Sequence, residues 1–138
     1  MNNMQLAGEK FALGAGEALR MQGYVQYLRG RVSVAHGDGY LTARRFVFCR
    51  KPRMPFGLGK FFKGRKIVFA FALEDLQSIH QQKHGLGRKE VFRLSNSAEF
   101  GLLFGSRREA WLLAFGAAIR QIRPGSAPRY RKQLIEFA

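Results

Sequence analysis

Few groupings in this 138-residue chain could do chemistry. The string Gly59-Lys60-Phe61-Phe62-Lys63-Gly64-Arg65-Lys66 has the outline of a phosphate loop. It carries Arg65-Lys66 where such a loop needs Lys followed by Ser or Thr, so no hydroxyl is placed for magnesium. Gly57-Leu58-Gly59 lacks the third glycine of a dinucleotide fingerprint. His80 and His84 stand four apart, a spacing that shares a metal on a helix. Here they flank a predicted strand and turn, and no third ligand with suitable spacing is nearby. Glu74 and Asp75 are adjacent, so on a strand they face opposite sides and fit a turn or cap better than an acid/base pair. Cys49 alternates with Phe48 and reads as a small core residue. The expectation is a protein that is not an enzyme, with no catalytic residue, no metal ligand and no cofactor.

Charge is the stronger signal. Lys and Arg number 24 against 9 Asp and Glu, a formal net charge of +15. The apolar fraction of 46% is what a folded core requires, which excludes a disordered basic tail. A single cysteine excludes an intramolecular disulfide framework. A charge of this size calls for an anionic partner. No acid lies between Gly39 and Leu73, whereas that interval holds Arg44, Arg45, Arg50, Lys51, Arg53, Lys60, Lys63, Arg65 and Lys66. From Pro55 to Lys66, cations interleave with Phe56, Leu58, Phe61 and Phe62. Pro and Gly keep this stretch out of regular structure and make it a loop between strands. The candidate binding residues are therefore Lys51, Arg53, Lys60, Phe61, Phe62, Lys63, Arg65 and Lys66. A second basic patch, Arg129, Arg131 and Lys132, follows the last predicted helix.

The elements that must position these residues are mostly short strands. Glu17 to Leu28 reads as the first, with a helix as the alternative there. Arg31 to Ala35 runs into a turn cluster, His36-Gly37-Asp38-Gly39, and Tyr40 to Arg50 follows. In Ile67 to Leu73 the large residues Ile67, Phe69, Phe71 and Leu73 share one face. Leu76 to Lys83, Glu90 to Ser95 and Phe100 to Phe104 complete the set. Ser106-Arg107-Arg108-Glu109 fits a capping box. Trp111, Phe115, Ala118 and Ile122 then recur at helical spacing until Pro124-Gly125. The pattern predicts about seven antiparallel strands capped by a C-terminal helix.

These pieces resemble a GRAM domain of the pleckstrin-homology-like superfamily. The resembling residues are Phe11-Ala12-Leu13 with Glu17 and Leu19, and Gly39-Tyr40-Leu41-Thr42-Ala43-Arg44-Arg45-Phe46-Val47-Phe48. Lys66-Ile67-Val68, Leu73-Glu74-Asp75-Leu76 with Ile79, and Phe104-Gly105 before the Trp111 helix follow in order. The resemblance spans roughly residues 11 to 120. It implies a mainly-β split barrel with a capping helix, and a binding module associated with membranes, lipids or proteins. The 51–65 connection is longer and more basic than that pattern, and no second domain is expected to follow. The expected organisation is an N-terminal extension (1–10), a GRAM-like domain (11–123) and a basic, loosely docked C-terminal tail (124–138).

Three partners fit the charge. The leading expectation is peripheral recognition of anionic lipid headgroups by the 51–66 loop. Its Phe rings then either enter the headgroup boundary or fold back on the barrel. The alternatives are an acidic protein partner or a second copy, and non-specific nucleic-acid binding. The N-terminus has no signal-peptide layout, and the longest helix-like apolar run, Ala110 to Ile119, falls short of a bilayer span. The expected location is cytoplasmic, at most peripheral on the inner face of the membrane.

Overall fold

A computed structural model describes residues 10–29, 32–50, 66–84, 87–124, 129–131 and 134–137. The chain forms β1 (Leu19–Arg29), β2 (Val32–Thr42), β3 (Arg45–Arg50) and β4 (Ile67–Ala72), then β5 (Leu76–His84), β6 (Gly87–Leu94) and β7 (Glu99–Leu103). A single helix, α1 (Arg108–Ile122), and a hairpin of β8 (Arg129–Arg131) and β9 (Leu134–Glu136) follow. The strands make one antiparallel sheet in the order β4-β3-β2-β1-β7-β6-β5-β9-β8. It is a mainly-β, split-barrel-like fold capped by a helix. β1 is the hinge: it pairs along its length with β2 and, through Gln26 to Leu28, with β7.

The sheet does not close. β4 is joined to β5 by a 3₁₀ turn, Leu73–Asp75, and pairs on its sheet side with β3. The helix fills the opening. Phe46 lies at the centre of an aromatic cluster, with ring centroids 5.4 Å from Phe115, 5.6 Å from Phe71 and 5.9 Å, edge-on, from Trp111. Phe104 stacks on Trp111 at 5.1 Å. A second layer of Tyr27, Phe48, Phe69 and Phe100 lies beyond it, with Phe69 and Phe100 stacked at 4.3 Å. Polar contacts fix both ends of the helix. Arg108 pairs with the buried Glu90 on β6. Arg123 donates through Nη2 to the carbonyls of Leu73 (3.0 Å) and Leu76 (2.8 Å), across the turn that joins β4 to β5.

The β4 face pattern holds: Ile67, Phe69, Phe71 and Leu73 are all buried. Other expectations are corrected. β2 runs straight through His36 to Gly39, and the chain turns instead at Ala43 and Arg44. The glycines at 37 and 39 serve close approach rather than a turn. A Cβ on Gly37 would lie 1.9 Å from the Cys49 carbonyl oxygen, and one on Gly39 would lie 2.8 Å from the Phe46 ring. The capping box does not form, because a 3₁₀ turn at Gly105–Arg107 delays the helix and leaves Arg107 at the cap without a side-chain hydrogen bond. His80 and His84 both lie within β5 rather than flanking it.

The C-terminal segment is not a loose tail. β9 pairs with β5 at Ser78↔Glu136, Ile79↔Ile135 and His80↔Leu134. The Phe137 N–H donates to the Gln77 carbonyl at 2.8 Å, and its ring joins the core at 6% exposure. Among the described residues the strands therefore number nine, against the expected seven or so.

Two substitutions test this packing. Gly37→Ala should destabilise the fold by about 3 kcal/mol or more in urea unfolding, because its methyl meets backbone rather than a movable side chain. Phe137→Ala should cost about 3 kcal/mol through the cavity it leaves. A loss below about 0.5 kcal/mol would return the C-terminus to a peripheral role.

Candidate functional site

The loop that carries most of the predicted binding residues joins β3 to β4. Lys51, Arg53, Lys60, Phe61, Phe62, Lys63 and Arg65 lie outside the described residues, as does Lys132 of the second patch. The structure does place the two ends of the loop. Arg50 closes β3 and Lys66 precedes β4, and both are exposed. Their strands are neighbours, with Cys49 opposite Ile67. Lys66 also forms an isolated antiparallel bridge with Lys10, another exposed cation. Arg129 is exposed on β8, and Arg131 is its register neighbour opposite Leu134. Arg129 and Arg131 belong to β8, at the opposite end of the strand order from β4.

Register adds residues that the sequence reading missed. β3 ends at Arg50 opposite Gly37, so β2 overhangs it from Val32 to His36. The overhang exposes Val32 (67%) and Val34 (37%), and Arg29 stands opposite Val32 on β1. The Arg50 guanidinium reaches the overhang and donates to the Val34 carbonyl at 3.2 Å. Apolar and cationic side chains are thus exposed together at the end where the 51–65 loop is attached. Only the overhang, a long-range property of the pairing, reveals them.

The acids are disposed differently. Glu17 is taken into a buried network at the β2–β3 turn. Arg45 donates to it through Nε (2.8 Å) and Nη2 (3.0 Å), and both side chains are at most 6% exposed. The Thr42 hydroxyl donates to the same carboxylate at 2.6 Å, and the Gly14 N–H at 2.8 Å. Arg45 also holds the Ala12 carbonyl at 2.8 Å and lies 5.3 Å over the Phe11 ring. The 11–17 segment is thereby strapped over the outer face of β2 and β3. There Phe11 stacks on Tyr40 and packs against the small cluster of Val47, Cys49 and Ile67. Burial alone would raise the Glu17 pKa. The Arg45, Gly14 and Thr42 contacts outweigh it and hold the group at about 2.

The residues considered for catalysis are scattered. Burial pushes the Cys49 thiol up to about 11, against a smaller pull from Arg45, which disfavours a thiolate nucleophile. Glu74 and Asp75 belong to the 3₁₀ turn, and His80 contacts Gln82 at 2.8 Å. Among the described residues no three His, Cys, Asp or Glu side chains gather as metal ligands. No helix among them is long and apolar enough to cross a membrane. No family model matches the chain, and no curated protein matches it.

The Glu17 network sets a pH test. A carboxylate held at about 2 against an ordinary 4.5 contributes stability that is present above pH 4.5 and lost as pH falls through 2. The contribution is about 3 kcal/mol. Glu17→Gln strands the buried Arg45 charge and should cost about 3–5 kcal/mol at pH 7. The gap from the parent should narrow towards pH 2, measured by denaturant unfolding. A pH-independent gap would contradict the assignment.

Proposed function

We propose that this chain is a GRAM-like, non-catalytic binding module that attaches peripherally to anionic membrane surfaces through its β3–β4 end. The observation that carries the reading is the juxtaposition at that end. Within the acid-free 39–73 segment Arg50 and Lys66 are exposed at neighbouring strand ends, and Arg50 reaches the overhang on which Val32 and Val34 are exposed. Cations near an anionic bilayer contribute roughly 1 kcal/mol each, so four to six give about 4–6 kcal/mol. That suffices for weak reversible attachment, which apolar insertion strengthens. Phe61 and Phe62, from the sequence between Arg50 and Lys66, and the exposed Val32 and Val34 supply the apolar part.

Two further features support this reading. The β4-β3-β2-β1-β7-β6-β5 order, with a helix over the open corner, agrees with the GRAM resemblance. The interior is packed with aromatic rings, which leaves the surface to do the binding.

Paired vesicle measurements test the proposal. The chain should sediment with vesicles containing phosphatidylserine and not with neutral ones, at low salt. Phe61→Ser/Phe62→Ser should weaken this by about tenfold while sparing the fold. Unchanged binding would sink the insertion step. Indifference to anionic vesicles, or complete displacement by duplex DNA at equal phosphate, would overturn the lipid reading.

A further inference from the structure

The C-terminal hairpin does more than extend the sheet. With β5 and β6 it encloses an open groove of about 450 Å³. Small-molecule sites run from about 300 to 1,000 Å³. Register builds the groove. Arg93 on β6 stands opposite Ser78 on β5, Ser78 opposite Glu136 on β9, and Glu136 opposite Arg129 on β8. His80, two residues along β5, stands opposite Leu134 and shares the same face. These six residues all line the groove.

We propose that the groove binds a small molecule carrying a phosphate or carboxylate together with a hydroxyl or amine donor. Arg93 and Arg129 are exposed. A guanidinium has five N–H donors, and a neighbouring carboxylate occupies two at most. Arg93 therefore keeps donors for a ligand even with Glu99 opposite it on β7. The Ser78 hydroxyl, next in the row, donates to the same oxyanion. The His80 imidazole, which contacts Gln82, adds a polar ring on that side. Glu136 lies between the two arginines in register and only accepts. It is already engaged within the chain, but with about four acceptor positions its carboxylate still repels a bare anion and receives a ligand hydroxyl or ammonium on those that remain. Leu134 supplies an apolar wall. The alternation of cation, carboxylate and cation selects a ligand with both kinds of group over inorganic phosphate.

This groove shares no residue with the β3–β4 end. It lies near the corner reached by the last residue of β4, whereas the 51–65 loop joins the first. The six residues of β4 set that attachment point about 20 Å from the corner. Either reading can therefore fail alone.

Titration of the isotope-labelled chain with glycerol phosphate, followed by amide chemical shifts, tests the proposal. Saturable shifts are expected at Ser78, His80, Arg93 and Glu136. Inorganic phosphate and glycerol should bind at least about tenfold more weakly. Arg93→Gln and Ser78→Ala should each weaken glycerol phosphate binding, by about tenfold for the charged donor. Glu136→Gln should narrow the preference over inorganic phosphate. In a second arm with phosphatidic acid vesicles, shifts in the groove from the vesicles alone would assign the same chemistry to a lipid headgroup. Non-saturating shifts in both arms, or equal affinity for inorganic phosphate, would overturn the proposal.

Discussion

An antiparallel sheet that bends back on itself without closing must have its apolar interior sealed by something else. Here the opening lies between β4 and β5, and α1 seals it with Trp111, Phe115, Ala118 and Ile119. The aromatic packing around Phe46 supplies the apolar contact, since each ring buries a large area and edge-on or offset pairs add about 0.5–1.5 kcal/mol. Direction comes from the polar ends. Arg108 on Glu90 fixes the start of the helix, and Arg123 on the Leu73 and Leu76 carbonyls fixes its end to the corner it covers. The C-terminal hairpin then covers the β5 edge, which would otherwise present unpaired backbone groups. Each later element depends on the gap left by the first seven strands.

The same architecture sorts the charges. Glu17 and Glu90 are engaged internally by Arg45 and Arg108. Neither acid therefore opposes the surface field that the remaining cations create. The outcome is a basic exterior on which Val32 and Val34 are exposed at the β3–β4 end. The strap of residues 11–17 links the two themes. Its Glu17–Arg45 pair is structural, and it carries Lys10 to the bridge with Lys66.

Much of this was legible in the sequence, and the exceptions share a cause. The Ile67–Leu73 alternation and the Trp111 helix are local periodicities, which report the buried face except at the helix end, where Ile119 is buried and the expected Ile122 is exposed. Gly37-Asp38-Gly39 signals a turn locally, yet β2 runs straight through it. The real demand on Gly37 comes from the Cys49 carbonyl, brought there by pairing. The Arg45 partner lies 28 residues away, and no local pattern announces it. Leu134, Ile135 and Phe137 are visibly apolar, yet their partner strand ends some fifty residues earlier, so a tail was the natural reading. At the candidate site, charge was legible because it is compositional. The exposure of Val32 and Val34 was not, because it follows from where β3 ends.

The central claim, attachment by the β3–β4 end, is tested most directly by paramagnetic relaxation from spin-labelled lipid in anionic nanodiscs. The account predicts selective broadening of the amides of Arg29, Val32, Val34, Arg50 and Lys66, with those of α1 spared. Broadening centred on α1 or on the β8 edge, or none above that seen with neutral lipid, would contradict it.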